Sequence, residues 1–421
     1  MSAPDRIPDG EQSSQRGVGR RRFLGSLGLA GIGGAALGAG GTAGALSLAN
    51  DGTTPLSTVG ERTIAFHGPH QAGITDAQQA RVDLRAYDLA PDTGRAALQR
   101  MLRGWTTLAE RLTRGGWTDA DAPVLGSGPS ALTVTVAFGA SLFDKVPELA
   151  DRRPARMIPL PEFAGDELDP SRGEGDVLVQ VCADDALVAA HAARMLGREA
   201  SQAASVRWHM SGFTRSQGVH PDSAATQRNL MGQLDGTGNP RPDDEDFTDT
   251  VLVSAGGEPD WIHGGSYLVM RRIRMLLDTW EELGTGAQER VIGRRKDTGA
   301  PLSGGEERTE PDFDARGDDG IHLIAPDAHV RMAHPDTNLG TTMLRRGYSY
   351  DDGPREDGAP DAGLLFLAWQ ADPLNGFVPV QEQLSRGDAL NRFVRHEASG
   401  QYAAPGGVAE DEYLGQRLLE G

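Results

Sequence analysis

The sequence predicts an α+β fold in two halves, each built on an antiparallel sheet. Three observations carry this. The 421 residues suffice for a leader and two ordinary domains. Stretches of period-two alternation and of helical spacing occur in a matching strand–helix order early and late in the chain. A polar, Pro- and Asp-rich stretch, Asn239–Asp249, lies between the two sets. No literal repeat accompanies the shared order, so the halves are expected to share topology without sharing sequence.

The first 19 residues are polar. Arg20-Arg21-Arg22-Phe23-Leu24 then precedes a Gly- and Ala-rich, weakly apolar run to about Ala49. This reads as a twin-arginine export signal over residues 1–49, with cleavage after Ala45 or after Ala49. The glycines make the run a poor membrane helix, so no stable membrane span is expected once the signal is gone.

The first half, residues 50–228, holds a strand at Ala80–Leu89 and a helix at Thr93–Leu112, with Leu98, Leu102, Trp105 and Leu108 at helical spacing. Further strands are expected at Leu132–Phe138 and Asp176–Val181, then a helix from Asp184 to about Leu196. The second half, residues 229–421, has a strand at Gly265–Arg271 and a helix at Arg274–Leu283. A strand-like His322–Met332, a strand at Gly363–Gln370 and a helix at Val380–Phe393 follow. Arg294–Gly320 reads as a long loop, and loops of that length are usually functional or disordered. Asp351–Ala362 reads as a surface loop.

Net charge is −19 and the pI about 4.9, which argues against a nucleic-acid partner. Cys182 is the only cysteine. It excludes an internal disulfide, a CxxCH attachment and any cysteine-held zinc or iron–sulfur cluster. Any metal must sit on nitrogen or oxygen ligands, or inside a non-covalent cofactor.

Chemistry is concentrated in two stretches. In Ala328–Tyr350 (AHVRMAHPDTNLGTTMLRRGYSY), His329 is followed by a polar turn and a return to Arg345 and Arg346. One imidazole with a fixed cation beside it suits a metal centre with an anion-stabilising group. In Gly232–Gly238 (GQLDGTG), glycines flank Asp235 and let the backbone lie against a flat ligand. The same run also reads as a turn in which Asp235 makes a local Asx bond.

Together these stretches resemble the dye-decolourising peroxidases, a haem family marked by GxxDG followed by (S/A)H(I/V)R, with LRRGY(S/N)Y in its secreted subclass. FHGPHQAGI (Phe66–Ile74), GGSYLVMRRIRM (Gly264–Met275), GAPL (Gly299–Leu302) and GLLFLAWQADP (Gly363–Pro373) extend the resemblance over nearly the whole mature chain. It implies two ferredoxin-like domains of the dimeric α+β barrel type, with haem b held non-covalently, one per chain, between sheet and helices. His329 would ligate the iron. Asp235 would move the proton between the peroxide oxygens, and Arg345 would stabilise the developing charge. Donors to the haem propionates would come from the backbone N–H groups of Gly236, Thr237 and Gly238, from the non-proline members of the turn His334, Pro335 and Asp336, and from Arg294 or Arg295. Phe366 is either an apolar wall of the distal pocket or ordinary core. Tyr348 and Tyr350, or failing them Trp261 and Trp369, would carry electrons outward from the haem to bulky donors.

The implied activity is reduction of hydrogen peroxide with oxidation of phenolic or dye-like donors. Release of iron from haem (deferrochelatase activity) and non-catalytic haem or iron delivery are the alternatives. An iron-uptake or copper protein is the implied partner, and the export signal places the protein in the cell envelope or outside the cell.

Overall fold

The computed structural model describes residues 59–421, so the leader expected over residues 1–49 lies outside them. The strands are β1 (Arg81–Leu89), β2 (Thr133–Gly139), β3 (Val177–Ala183), β4 (Ala204–Phe213), β5 (Ser266–Met275), β6 (Leu344–Arg345), β7 (Tyr348–Pro354), β8 (Pro360–Gln370) and β9 (Val394–Ala404). Their hydrogen bonding runs β5-β9-β2-β3-β1-β4-β7-β8 and returns from β8 to β5, closing an antiparallel barrel. The short β6 adds to β8 as an edge.

Each half contributes the same arrangement. In the first half the neighbours are β4-β1-β3-β2, with α1 (Arg95–Thr113) between β1 and β2 and α2 (Ala186–Ala200) between β3 and β4. In the second half the order is β7-β8-β5-β9. There α3 (Thr285–Ile292) and α4 (His329–Ala333) precede β7, and α5 (Phe377–Gly387) lies between β8 and β9. Both are the ferredoxin-like β-α-β-β-α-β pattern. The halves are joined at two thin seams: Phe138 and Gly139 pair with Ala403 and Tyr402, and Phe213 pairs with Ser349.

Alternation explains which side chains go where. Val82, Leu84 and Ala86 of β1 fill the barrel with Cys182, Met210, Leu268, Met270, Tyr348, Leu365 and Leu367. On the outer face of the first half, Tyr87 and Leu89 pack beneath Leu98, Leu102 and Trp105 of α1 and Leu196 of α2. On the outer face of the second half, Val269 of β5 and Ala368 of β8 lie beneath Phe377 and Val380 of α5.

The Phe66–Gln79 stretch braces both seams. Gln71 Nε2 donates to the carbonyls of Val136 (2.9 Å) and Pro405 (3.0 Å) at the β2–β9 seam. Gln78 Nε2 donates to the Gly347 carbonyl at 2.7 Å beside the β4–β7 seam.

The structure corrects several expectations. His329–Met332 is the start of a helix, and no strand runs through it. Arg274 and Met275 belong to β5, because pairing with β9 and β8 outweighs the local helical spacing. The helix expected over Val380–Phe393 ends at Gly387 and is followed by a separate turn at Ala389–Arg392. Strands β4 and β9 were not anticipated. Asp351–Ala362 is mostly the arms of the β7–β8 hairpin, with the true turn at Arg355–Ala359, where the Arg355 N–H donates to the Ala359 carbonyl. Among the described residues no helix is long and apolar enough to cross a membrane.

Candidate active site

The site lies on the outer face of the second half. Ile324, Ala325 and Ala328 bury themselves against Leu302, Phe313 and Val330, which anchors the start of α4 and places His329 as its first residue. The imidazole Nδ1–H donates to Asp388 Oδ2 at 2.6 Å. Asp388 follows the end of α5, and its Oδ1 accepts from the Leu390 N–H at 2.8 Å, so the carboxylate is held while it holds the ring. Among the described residues nothing bonds to His329 Nε2. Burial disfavours the protonated ring, but Asp388 outweighs it, and the His329 pKa is raised above the ordinary value. The charges of Arg345 and Asp235 also reach it.

The other side of the site is built by β6 and the Asp235 loop. Leu344 turns toward the barrel interior, which sends Arg345 to the outer face. Arg345 Nη1 approaches Asp235 Oδ1 at 3.5 Å, and Asn229 Nδ2 donates to Asp235 Oδ2 at 3.3 Å. The next residue, Arg346, is buried. It bonds to the Asp76 carbonyl and to Gln79 Oε1 (2.9 Å). His329, Arg345 and Asp235 keep 32%, 30% and 27% of their side-chain surface open, so each retains an accessible edge for a ligand.

A cleft with about 760 Å³ of empty space, counting its open mouth, is lined by Asp235, Gly236, Asn239, Arg345 and Phe366, and by Gln78 from the first half. His329 is not part of its lining. Gly236 has φ +124°, a conformation that side-chain-bearing residues rarely adopt. The N–H groups of Gly236, Thr237 and Gly238 have no protein acceptor among the described residues, while the Thr237 hydroxyl donates to Glu307 at 2.9 Å. Gly232 instead gives room to Lys296.

The other anticipated anion donors are arranged differently. The Asp336 N–H already donates to His334 Nδ1, and His334 Nε2 lies 2.9 Å from Glu310. Arg295 is not brought into the group: its guanidinium is more than half exposed and pairs with Glu289 at 3.0 Å. Among the described residues the Arg294 side chain makes hydrogen bonds only to the carbonyls of Gly299 and Glu307. Burial lowers its pKa despite nearby Glu307 and Glu310, the signature of a guanidinium poorly compensated by the protein.

Three residues escaped the sequence reading, and the first, Asn229, lies just before the GQLDGTG run with no signal of its own. Asp388 had one local signal, an Asp after the helix-ending Gly387 that could cap the next turn. Asn239 sat in a stretch read only as a polar connection.

An imidazole with one nitrogen held by a carboxylate and the other free, near an acid and a fixed cation, is the equipment of a haem peroxidase. Comparison with known proteins gives the same answer. The profile described as Dyp-type peroxidase, C-terminal, matches residues 226–409, and its N-terminal counterpart matches residues 71–214. The chain is 44% identical over 439 residues to the dye-decolorizing peroxidase of Thermobifida fusca, covering all of both chains. Ferric DtpA from Streptomyces lividans superposes with a TM-score of 0.84 at 53% identity, over 88% of this chain and all of that one. A deferrochelatase from Yersinia pseudotuberculosis is 37% identical over 84% of each chain.

The chain belongs to the DyP-type peroxidase family. It is a haem peroxidase, and the residues present fit haem. Among the described residues Nε2 of His329 is free to ligate, three successive N–H groups lack acceptors beside Asp235, and half-buried Arg294 has no ion-pair carboxylate.

Proposed function

We propose that this protein reduces hydrogen peroxide and oxidises phenolic or dye-like donors, with His329 as iron ligand, Asp235 as proton carrier and Arg345 as charge stabiliser. The observation that carries the assignment is the His329–Asp388 bond at 2.6 Å, which fixes the tautomer so that Nε2 presents its lone pair. Haem, held by His329, would supply the redox chemistry, a centre able to take up two oxidising equivalents from peroxide.

Asp235 takes the proton from one peroxide oxygen at a carboxylate oxygen and returns it to the other, so water leaves in place of hydroxide. Asn229 holds the carboxylate in place meanwhile. Arg345 cannot act as the base. Its permanent charge, 3.5 Å from Asp235 Oδ1, offsets negative charge as the O–O bond breaks. The free N–H groups of Gly236, Thr237 and Gly238, together with Arg294, would hold the propionates.

His329→Ala tests the ligand assignment. The variant should purify with little haem and without the Soret band. Full haem content with an unchanged histidine-ligated spectrum would contradict it.

A second reading, release of iron from haem, is favoured by one finding, the 37% identity to proteins named deferrochelatase. It needs the same His329 but not the peroxide pair. Iron release that survives Asp235→Asn while peroxide turnover is lost would support it.

Export through the twin-arginine route is part of the proposal, supported by Arg20-Arg21-Arg22-Phe23-Leu24 and the absence of a second cysteine. Replacing Arg20 and Arg21 by Lys should retain the protein in the cytoplasm. An iron-uptake or copper protein in the envelope is the partner that this location suggests.

A further inference from the structure

β6 has a strand neighbour on one side only. Its pairing sets Arg345 opposite Ala368, and the ladder bond passes through the next residue, whose N–H donates to the Leu367 carbonyl at 2.8 Å. The N–H and C=O of Arg345 therefore point away from β8, toward the open edge, where backbone groups lack strand partners.

Asn239 occupies that edge. Its Nδ2 donates to the Arg345 carbonyl at 2.6 Å, and its Oδ1 accepts from the Arg345 N–H at 3.1 Å. A single carboxamide thus takes the place of one rung of an absent strand. Asn239 also belongs to the loop that carries Asp235. Its N–H donates to the Gly236 carbonyl at 3.0 Å, closing the turn directly after Asp235, and the Asp235 N–H donates to the Gln227 carbonyl at 2.8 Å. The stretch 235–239 therefore carries the carboxylate at one end and grips the peptide of Arg345 at the other.

We infer that Asn239 is a positioning residue for the peroxide reaction, fixing the register of Arg345 against Asp235. Both polar atoms of its side chain are engaged by the Arg345 peptide, so it acts through that residue and not on the reacting oxygens. The 3.5 Å separation of Asp235 and Arg345 is long for an ion pair, and their side chains do not lock one another. Backbone placement is what sets the distance, and Asn239 ties the two backbones together. The inference rests on the role given to Arg345 above.

The test is a double-mutant cycle in the haem-loaded full chain, using Asn239→Ala, Arg345→Leu and the pair. The second-order rate constant with peroxide is one readout. Hydrogen exchange at residues 344–346 is the other, and it is read with and without haem. Asn239→Ala should lower the rate constant about tenfold, since small misplacements of catalytic groups are costly, and should speed exchange of the Arg345 amide in both forms. In the Arg345→Leu background it should cost nothing further, because there is no guanidinium left to place.

Asn239→Asp keeps the acceptor for the Arg345 N–H and loses the donor to its carbonyl. Its rate should fall between wild type and Asn239→Ala, and it carries the test if the alanine variant does not fold. Effects that add in full would show a general structural role and overturn the inference. So would a slow Arg345→Leu beside Asn239 variants that react at the wild-type rate, a result that leaves the role of Arg345 standing. A wild-type rate in Arg345→Leu would overturn both readings together.

Discussion

Arg345 and Arg346 are adjacent, yet strand alternation sends their guanidinium groups to opposite walls. Arg345 faces Asp235 in the cleft, whereas Arg346 is sealed against Asp76 and Gln79. Arg345→Leu should slow the reaction with peroxide by about a hundredfold, as is usual when one fixed donor to a transition state is lost. Arg346→Leu should leave the rate per haem-loaded molecule nearly unchanged and lower stability by about 2 kcal/mol, read from urea unfolding, because two acceptors lose their donor.

Tyr348 and Tyr350 also point inward, with at most 1% of their surface exposed. No dye can touch them. Burial pushes both phenol pKa values up, and the Tyr348 hydroxyl donates to Cys182 Sγ at 3.6 Å, a poor proton acceptor, with the charged Arg346 beside it. Oxidising a tyrosine without somewhere to send its proton is costly. Changing both to Phe should leave dye turnover intact, against the outward electron path that their place after Arg345 suggested. A selective loss of rate with large dyes, measured beside a small phenol, would restore that path.

Among the elements, α4 and α5 matter most because His329 begins one and Asp388 follows the other. Asp388→Asn keeps the shape of the contact and removes its charge. Haem retention should weaken tenfold to a hundredfold, the usual effect of losing a partner behind a metal ligand, measured as the apparent Kd for haem.

That link was only partly legible. The motif around His329 identified the residue, but its surroundings read as strand because Val330 and Met332 alternate with polar neighbours. A five-residue helix is too short to show helical periodicity, and only its packing against α5 and the Leu302–Phe313 cluster reveals it. Asp388 lies 59 positions from His329, beyond any local pattern. β1 was readable from its alternation, and β2, β3, β5 and β8 because they are largely buried apolar runs. β4 was missed because Arg207, His209 and Ser211 interrupt it, although Trp208, Met210 and Gly212 keep its inner face buried. β9 was missed because its inner face is made of small residues such as Ala398 and Ala404.

At the scale of the molecule, closure of the barrel places a histidine at risk in acid. His396 on β9 has its Nδ1 buried without a partner, and burial followed by nearby Arg271 pushes its pKa down to about 3. The unfolded chain would take up a proton near pH 6.5, while the folded chain resists until about 3. Stability from this residue is therefore complete above 6.5 and falls steadily as pH drops from 6.5 toward 3. An unfolding series should show that decline, and His396→Gln should flatten it.

The proposed joint action of Asp235 and Arg345 on peroxide, at a haem held by His329, is tested most directly by following the Soret band in stopped flow after one equivalent of peroxide, for wild type, Asp235→Asn and Arg345→Leu. All three should begin from the same resting spectrum. Wild type should convert in one bimolecular step, and each variant about a hundredfold more slowly. Variants that convert as fast as wild type would show that neither side chain takes part, and the site would have to be sought elsewhere.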